Sequence, residues 1–190
     1  MSFDAIDDEQ LVTRCQEELP YVVTAFEELV RRYQLPLFAM CRRYLSVESD
    51  AEDATQEIFM KVFHTLATFE HRSTFKTWLF SIAINHCKTV LGNIKRQQER
   101  YINDDEVTTH TADEAKDSAQ QFESDDEKSC VQRVIAKMKA SERDLLLLRF
   151  TSDLSLEEVA STLGKQLSAT KMSFYRALEK FKLLHEKYCA

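Results

Sequence analysis

Residues 155–178 read SLEEVASTLGKQLSATKMSFYRAL, and this stretch has the pattern of a helix-turn-helix. Ser155 and Glu158 have the Ser-x-x-Glu spacing of a capping box, which satisfies free amide groups at the start of a helix. Gly164 follows an apolar helical face and suits the left-handed backbone with which many helices end. The chain has two glycines, so we expect this one to lie where a turn requires it. The stretch predicts two helices joined by a tight turn.

The second helix of this pair has two chemically different faces. The residues that recur at helical spacing and can pack inward are Thr170, Phe174, Ala177, Leu178 and Phe181. The residues of the opposite face are Ala169, Met172, Ser173, Arg176 and Lys180, with Lys171 beside them. Such a face fits the major groove of duplex DNA. A helical hairpin with a solvated polar face fits the same pattern, so the stretch alone leaves both interpretations open.

The composition favours helices throughout. Of 190 residues, 44% are hydrophobic, and there are two prolines and two glycines. These values predict an all-α protein with one or two small domains. No apolar run approaches the roughly 20 residues of a membrane span, and the N-terminal segment is acidic where a signal peptide is basic. We therefore expect a cytoplasmic protein.

The cysteines and histidines show no ligand spacing. The five cysteines are odd in number, widely separated and without a Cys-x-x-Cys pair, which favours neither a disulfide framework nor a zinc site. We expect them to serve mostly as small apolar core residues. His86 and Cys87 are adjacent, but neighbouring residues on a helix point about 100° apart. The sequence thus predicts no metal and no cofactor.

The net charge of −7 is unevenly distributed along the chain. Residues 1–102 carry 12 basic and 15 acidic side chains, 103–128 carry 2 and 10, and 129–190 carry 11 and 7. The middle stretch is rich in Asp, Glu, Ser, Thr and Ala and has few large apolar residues, which is typical of a linker. We therefore predict two helical domains, 1–102 and 129–190, joined by a flexible acidic linker at 103–128.

Within the first domain, Ser49 and Glu52 have the spacing of a second capping box. The helix that it opens turns Ala54, Ile58, Val62 and Phe63 to one side. Asp53, Gln56, Glu57 and Met60 lie on the other side. This acidic and amidic face is either simply solvated or suited to a basic partner surface.

From His71 to Gln98 the chain contains no Asp or Glu, although five Lys and Arg residues lie in this window. A helix capped by Ser73 is predicted here. Its polar stripe consists of Thr74, Thr77, Ser81, Asn85 and Lys88, bordered by Trp78 and preceded by a loop with Phe69, His71 and Arg72. Aromatic and guanidinium planes stack on bases, and cations neutralise phosphates, so this segment suits single-stranded nucleic acid. The alternative for Trp78 is a core position.

The order of these parts resembles the extracytoplasmic-function (ECF) sigma factors, the smallest members of the sigma-70 family. Phe26–Tyr33 (FEELVRRY) is similar to the opening helix of that family, Asp50–Phe59 (DAEDATQEIF) to its polymerase-binding helix and Phe75–Asn85 (FKTWLFSIAIN) to its promoter-melting segment. Leu145–Phe150 (LLLLRF) followed by the helix-turn-helix completes the pattern. The resemblance extends over nearly the whole chain and implies a specificity subunit of RNA polymerase.

The resemblance also implies roles for individual residues. Those at positions that bind the β′ clamp helices of core polymerase, which also contains the β subunit, are Asp50, Asp53, Gln56, Glu57 and Met60. Those at positions that capture an extruded base of the minus-10 element are Phe69, His71, Arg72, Ser73, Thr74, Trp78, Asn85 and Lys88. Those at positions that meet the minus-35 element are Ser168, Lys171, Met172, Ser173, Tyr175, Arg176 and Lys180. Strand separation would then be driven by binding energy.

The sequence departs from the family pattern at Lys165, where an apolar turn residue is common, and at Met172-Ser173, where a Ser-Arg pair is frequent. These departures leave the base preference at minus-35 open. The resemblance implies promoter DNA and core polymerase as partners, together with an anti-sigma factor that is often membrane-anchored. It implies no small-molecule substrate.

Three other function classes fit part of the sequence. A conventional helix-turn-helix regulator would bind palindromic operators as a dimer without polymerase, with 1–102 as a sensing domain. A sequestering adaptor would act through its acidic linker and would start no transcription. An enzyme is the weakest interpretation, because the chain has no phosphate-binding glycine-rich loop, metal-ligand cluster or Ser-His-Asp arrangement.

Overall fold

The structure is a computed structural model that describes residues 5–104 and 126–189. Those residues form helices without a β-strand, which confirms the all-α prediction. The helices in chain order are α1 (Asp8–Glu18), α2 (Thr24–Leu45), α3 (Glu48–Thr65), α4 (Phe75–Asp104), α5 (Asp126–Lys137), α6 (Ala140–Phe150), α7 (Leu156–Thr162) and α8 (Leu167–Cys189), with a 3₁₀ turn at Leu66–Thr68. Most of the predicted linker lies outside the described residues.

The N-terminal domain is formed by α1 to α4 around one apolar core. Its fully buried side chains include Leu11, Leu37, Ile58 and Phe80, one from each helix. Burying a side chain of this size contributes about 1.5–3 kcal/mol relative to leaving it exposed, which offsets the entropy lost in ordering the helices. The core therefore holds all four helices in one arrangement.

The caps of α3 and α4 differ from the predictions. The residue that precedes α3 is Val47, and no side chain caps it. Ser49 therefore lies inside the helix, and the predicted Ser49–Glu52 capping box is wrong. At α4 the hydroxyl oxygen of Thr74 accepts a hydrogen bond of 3.2 Å from the amide of Thr77. Thr74, one residue after the predicted Ser73, therefore caps α4.

The C-terminal domain consists of α5 to α8 and contains the predicted helix-turn-helix. Ser155 and Glu158 form the capping box at the start of α7. After α7, Gly164 has φ of +62°, and the amide of Lys165 donates to the carbonyl of Ala160 at 2.9 Å. This bond satisfies a carbonyl group near the end of the helix, as in a Schellman turn. The capping box at Ser155 and the left-handed turn at Gly164, both predicted from the sequence, are confirmed.

The structure pairs two of the five cysteines. Cys130 at α5 and Cys189 at the end of α8 form a disulfide bond across 59 positions of sequence, a pair that the sequence, which favoured no disulfide framework, did not indicate. The other three, Cys15, Cys41 and Cys87, are free and buried, as expected of small core residues. The spacing of Cys130 and Cys189 in the sequence did not indicate this pair, because α5 and the end of α8 come together only when the domain folds.

The two domains pack against each other through polar and apolar groups. The carboxylate of Asp144 on α6 is 3% exposed and accepts a hydrogen bond of 2.9 Å from the Tyr44 hydroxyl on α2. The Lys88 ammonium on α4 lies 2.7 Å from the same carboxylate. The Arg143 guanidinium lies over the Tyr44 ring at 4.2 Å. A buried carboxylate is stable only with such partners, so Asp144 connects α2, α4 and α6.

None of the helices in the described part of the chain is both long and apolar enough to cross a membrane.

Candidate polymerase and nucleic-acid interfaces

The first candidate surface is the outer face of α3, which we call the α3 surface. Its side chains Asp53, Gln56, Glu57 and Met60 are exposed, while Asp50 is partly exposed. On the inner face of the helix, Ala54, Ile58 and Val62 are buried. The predicted division of α3 is therefore confirmed for these residues, and Phe63, also predicted on the inner face, is partly buried beside the ring of Phe26.

The α3 surface combines negative charge with an exposed apolar group. Met60 is 57% exposed. The Glu57 carboxylate lies 3.4 Å from Nε2 of His86, and burial lowers the pKa of this histidine, which therefore adds little positive charge near neutral pH. Carboxylates beside a methionine suit a partner that offers Lys or Arg side chains with their aliphatic stems.

The second candidate surface is the loop between α3 and α4, residues 69–74, which we call the specificity loop. Phe69 is buried beneath it and packs against the rings of His71 and Trp78, with centroid distances of 4.8 and 4.9 Å. His71 and Arg72 are exposed. Trp78 is half-buried against the core. Phe69 therefore packs beneath the rings of its neighbours, and Arg72 is an exposed cation of the loop.

The polar stripe of α4 continues from this loop, but its members differ in exposure. Asn85 and Lys88 are exposed, whereas Thr77 is buried. The Ser81 hydroxyl donates to the carbonyl of Trp78 at 2.7 Å and is thereby engaged within the helix. The exposed groups of the stripe are thus Thr74 at its start and Asn85 and Lys88 further along α4.

The C-terminal domain covers part of this stripe. The hydroxyls of Thr74 and Thr77 donate to Oε1 of Glu158 at 3.4 and 3.3 Å. The ammonium of Lys76 donates to the carbonyl of Asp153 at 3.0 Å. In this arrangement Thr74, Lys76 and Lys88 have protein partners in the C-terminal domain. Sequence reasoning missed these contacts of Glu158 and Asp144, because they arise only from the spatial approach of the two domains.

The third candidate surface is the outer face of α8, which we call the recognition face. Ser168, Lys171, Met172, Tyr175 and Arg176 are exposed on it, and Ser173 and Lys180 are partly exposed. The residues predicted to pack inward behave as expected: Thr170, Phe174 and Ala177 are buried, and Leu178 and Phe181 pack against the core. The predicted division of α8 is confirmed.

Two lysines of the recognition face have acidic neighbours in the same domain. Lys171 lies 3.4 Å from Glu157 on α7. Lys180 lies 2.6 Å from Glu142 on α6, and this contact helps to lower the pKa of that carboxyl despite its partial burial. Arg176 is the exposed guanidinium between them on α8. Since a guanidinium can bond two acceptors of a guanine edge at once, Arg176 is the strongest candidate for a base contact.

An apolar cavity of about 300 Å³ lies between Arg43 of α2 and helices α5, α6 and α8. Its lining is mainly apolar and includes Ile135, Leu147 and Phe181. Its polar lining residues, Arg43 and Thr151, are hydrogen-bonded to each other at 3.2 Å. Among the described residues there is no group of three His, Cys, Asp or Glu side chains that could hold a metal ion. The candidate functional sites are therefore the α3 surface, the specificity loop with the stripe of α4, and the recognition face.

Comparison with protein families matches two segments of the chain. Residues 29–98 match sigma-70 region 2, and residues 128–181 match sigma-70 region 4. The RNA polymerase sigma-H factor of Pseudomonas aeruginosa is 30% identical over 181 residues, covering 90% of each chain. The chain belongs to the sigma-70 family. The ECF RNA polymerase sigma-E factor of Haemophilus influenzae is 29% identical over 93% of this sigma factor and 94% of its own length.

Solved structures of other sigma factors have the same fold. CnrH, solved in complex with the cytosolic domain of CnrY, superposes with a TM-score of 0.72 at 21% identity over 95% of this sigma factor and 97% of CnrH. RpoE of Bartonella quintana, solved with the anti-sigma factor NepR, gives a TM-score of 0.61 at 22% identity over 85% and 96%. These structures show the shared fold. The matches to the two sigma-70 regions and to the sigma-H and sigma-E factors confirm the resemblance to ECF sigma factors, and the conventional helix-turn-helix regulator is not favoured.

Proposed function

We propose that this ECF sigma factor binds core RNA polymerase, brings it to specific promoters and starts strand opening without catalysing a reaction itself. The observation that supports this proposal most strongly is the match to sigma-70 regions 2 and 4 in one chain, together with exposed α3 and α8 faces. Since polymerase acts on DNA in the cytoplasm, the protein would work there.

The α3 surface would bind core polymerase. Its exposed Asp53, Gln56 and Glu57 would meet the basic clamp helices of the β′ subunit, and Met60 would cover their apolar stems. The β subunit would complete the contact with core. Opposite charges on two surfaces speed their encounter and fix their register, so reversing one charge should weaken the complex strongly.

The specificity loop and the stripe of α4 would bind the minus-10 element as a single strand. Asn85 offers an amide that can donate to and accept from a base edge, and Lys88 and Arg72 would neutralise phosphates. An extruded base would enter beside Trp78. These residues would bind the separated strand and not the duplex. This difference in affinity would shift the equilibrium from duplex to open DNA, and no hydrolysis of ATP would be needed.

The recognition face of α8 would enter the major groove at minus-35. Arg176 would contact base edges, with Lys171 and Lys180 positioned for phosphates. Such binding should weaken as salt rises, because each neutralised phosphate releases counterions. The acidic segment 103–128 would keep the free chain from binding DNA on its own.

The proposed domain boundaries are 1–102 and 129–190. Because Lys88 and Thr74 contact the C-terminal domain in this structure, binding of single-stranded DNA requires the two domains to separate. An anti-sigma factor, such as the NepR bound to RpoE in its solved structure, is the expected regulatory partner.

Holoenzyme formation tests the proposal. Asp53→Arg should weaken binding to purified core polymerase at least about tenfold, because it places like charges at the contact. Glu52→Arg is the matched control, since it makes the same change at an exposed neighbouring position of α3 outside the α3 surface. Equal binding by both variants and the unmodified protein would contradict the proposed contact.

A further inference from the structure

The side chain of Gln16 on α1 is bonded to the segment that carries the specificity loop. Its amide nitrogen donates to the carbonyls of Leu66 and Phe69 at 3.1 and 2.8 Å. Its Oε1 lies 3.2 Å from Nε2 of His71. Two carbonyl acceptors fix which end of the amide is the nitrogen, so Nε2 of His71 is the donor in the third bond. One side chain thus contacts three points of this segment.

The segment has little regular structure of its own to hold it in place. His71 has φ of +55°, a left-handed conformation that costs energy for any residue except glycine and persists only when its surroundings impose it. The Glu70 and Arg72 side chains pair with each other at 2.6 Å and extend into solvent. Thr74 anchors the C-terminal end of the loop to α4 and to Glu158, while the ring of Phe69 and the amide of Gln16 connect its first half to the core.

Gln16 lies outside residues 29–98, which match sigma-70 region 2, and its side chain is partly buried. We propose that Gln16 is a positioning residue for minus-10 recognition: it fixes the backbone of the specificity loop and the side chain of His71 so that one base is preferred over the others. This inference rests on the proposed function, since it assigns the loop to the minus-10 element.

A purely structural role for Gln16 makes a different prediction. If the amide only stabilised the fold, its loss would lower the melting temperature and weaken binding to every DNA sequence alike. If the amide positions the loop, its loss should reduce the difference in affinity between DNA with the preferred base and DNA with the other bases, and it should leave binding to core polymerase intact. The ratio of affinities for matched and mismatched DNA therefore separates the two roles.

The variant to use is Gln16→Met, which keeps the length and helix propensity of the side chain but removes both donor and acceptor. Glu17→Met is the matched control, because Glu17 is the exposed neighbour on the same helix. Each protein is assembled with core polymerase. Binding is then measured by fluorescence anisotropy to labelled non-template strands of a promoter that the wild-type holoenzyme selects, with each minus-10 base changed in turn.

At the DNA position that contacts the loop, we expect the ratio of affinities for the preferred base and the other bases to fall about tenfold in Gln16→Met. A fall of this size corresponds to the loss of about one hydrogen bond. The affinity for core polymerase should stay within twofold of wild type. Glu17→Met should match wild type in both. Unchanged base preference in Gln16→Met would overturn the proposal. If the wild-type holoenzyme itself shows no base preference, the proposed function fails instead, so the two failures are distinguishable.

A second variant and a second readout protect the test against misfolding. Gln16→Glu keeps the size of the side chain but places an acceptor against two carbonyls, and it should show the same loss of preference. Trp78 is the one tryptophan of the chain and packs on Phe69, so its emission should shift to the red in both Gln16 variants and not in Glu17→Met. Loss of helical structure in both variants would assign Gln16 to folding and overturn the proposal.

Discussion

The hydroxyl of Tyr44 donates a hydrogen bond of 2.9 Å to the carboxylate of Asp144, 100 positions later in the sequence. The bond is buried and joins the two domains, and Lys88 completes the charge balance at 2.7 Å. If Lys88 binds the minus-10 element, as proposed above, it can do so only after its pair with Asp144 is broken. Under that proposal, the domain contact and DNA binding are alternatives.

Tyr44→Phe should weaken the packing of the two domains against each other. It removes one donor to a buried carboxylate, for which we expect the free energy of unfolding to fall by about 1–2 kcal/mol. Urea unfolding followed by circular dichroism measures the change. Tyr175→Phe, at an exposed position of α8, should leave the stability as it is, and an equal effect of the two changes would show that the Asp144 contact contributes nothing.

Asp144→Asn should release Lys88 from its acidic partner. In the free protein we expect the affinity for a single-stranded minus-10 oligonucleotide to rise about three- to tenfold, since an opposing charge is removed and the domains separate more readily. Adding Lys88→Ala to this variant should abolish the gain. An affinity that does not rise in Asp144→Asn would contradict the competition between domain contact and DNA.

Arg176→Ala should weaken binding of the holoenzyme to its minus-35 element by about 1–3 kcal/mol and reduce the preference at one base pair, if the guanidinium reads a base edge. Lys182→Ala, which removes an exposed charge further along α8, should weaken binding less and equally for all sequences. Electrophoretic mobility shifts at several salt concentrations distinguish the two, because a phosphate contact changes mainly the salt dependence.

The disulfide between Cys130 and Cys189 should stabilise the C-terminal domain. Closing a loop of this length removes unfolded-state entropy equivalent to about 4 kcal/mol in the chain-entropy model. Thermal unfolding should therefore shift to lower temperature when dithiothreitol is added to the oxidised protein. Cys189→Ser should melt at the lower temperature with or without the reductant, and a melting point insensitive to dithiothreitol in the wild type would contradict the stabilisation.

The stability of the N-terminal domain should depend on pH through Glu28. Hydrogen bonds from Arg31 and Arg32 to its mostly buried carboxylate, at 2.7 and 2.8 Å, lower its pKa to about 2 from an ordinary value of 4.5. Because the folded pKa is depressed, the stabilisation is complete above about pH 5 and disappears as the pH falls toward 2.

Glu28→Gln should remove this pH dependence. Urea unfolding between pH 2 and 6 measures it, and the curve of the variant should be flatter than that of the wild type across this window. Glu27→Gln, one residue earlier on α2 and without these arginine bonds in the described structure, should keep the wild-type slope. A slope unchanged in Glu28→Gln would contradict the role of this carboxylate.

Sequence reasoning succeeded where the physical cause is local. The cap at Ser155 and the left-handed turn at Gly164 depend on backbone groups a few residues away, and both are found as predicted. The inner and outer faces of α3 and α8 follow from helical periodicity and are likewise confirmed. At the start of α3, the apolar and exposed Val47 precedes the helix, which already begins at Glu48. The Ser-x-x-Glu spacing at Ser49 and Glu52 therefore lies inside the helix and was a misleading capping signal.

Contacts between distant segments could not be predicted in this way. The disulfide of Cys130 with Cys189, the bond of Tyr44 with Asp144 and the bonds of Gln16 with the specificity loop each require two elements to meet in space. A single sequence carries the residue types but not their pairing. The functional consequences of domain contact and loop positioning therefore emerge only from the folded chain.

The central claim is tested most directly by transcription with purified components. The protein is added to bacterial core RNA polymerase free of other sigma factors, and the 5′ ends of transcripts from a supercoiled genomic library are mapped. We predict discrete start sites that share two upstream elements and that disappear with Asp53→Arg. Tight binding of the protein to DNA without core, and no new start sites with core, would contradict the account.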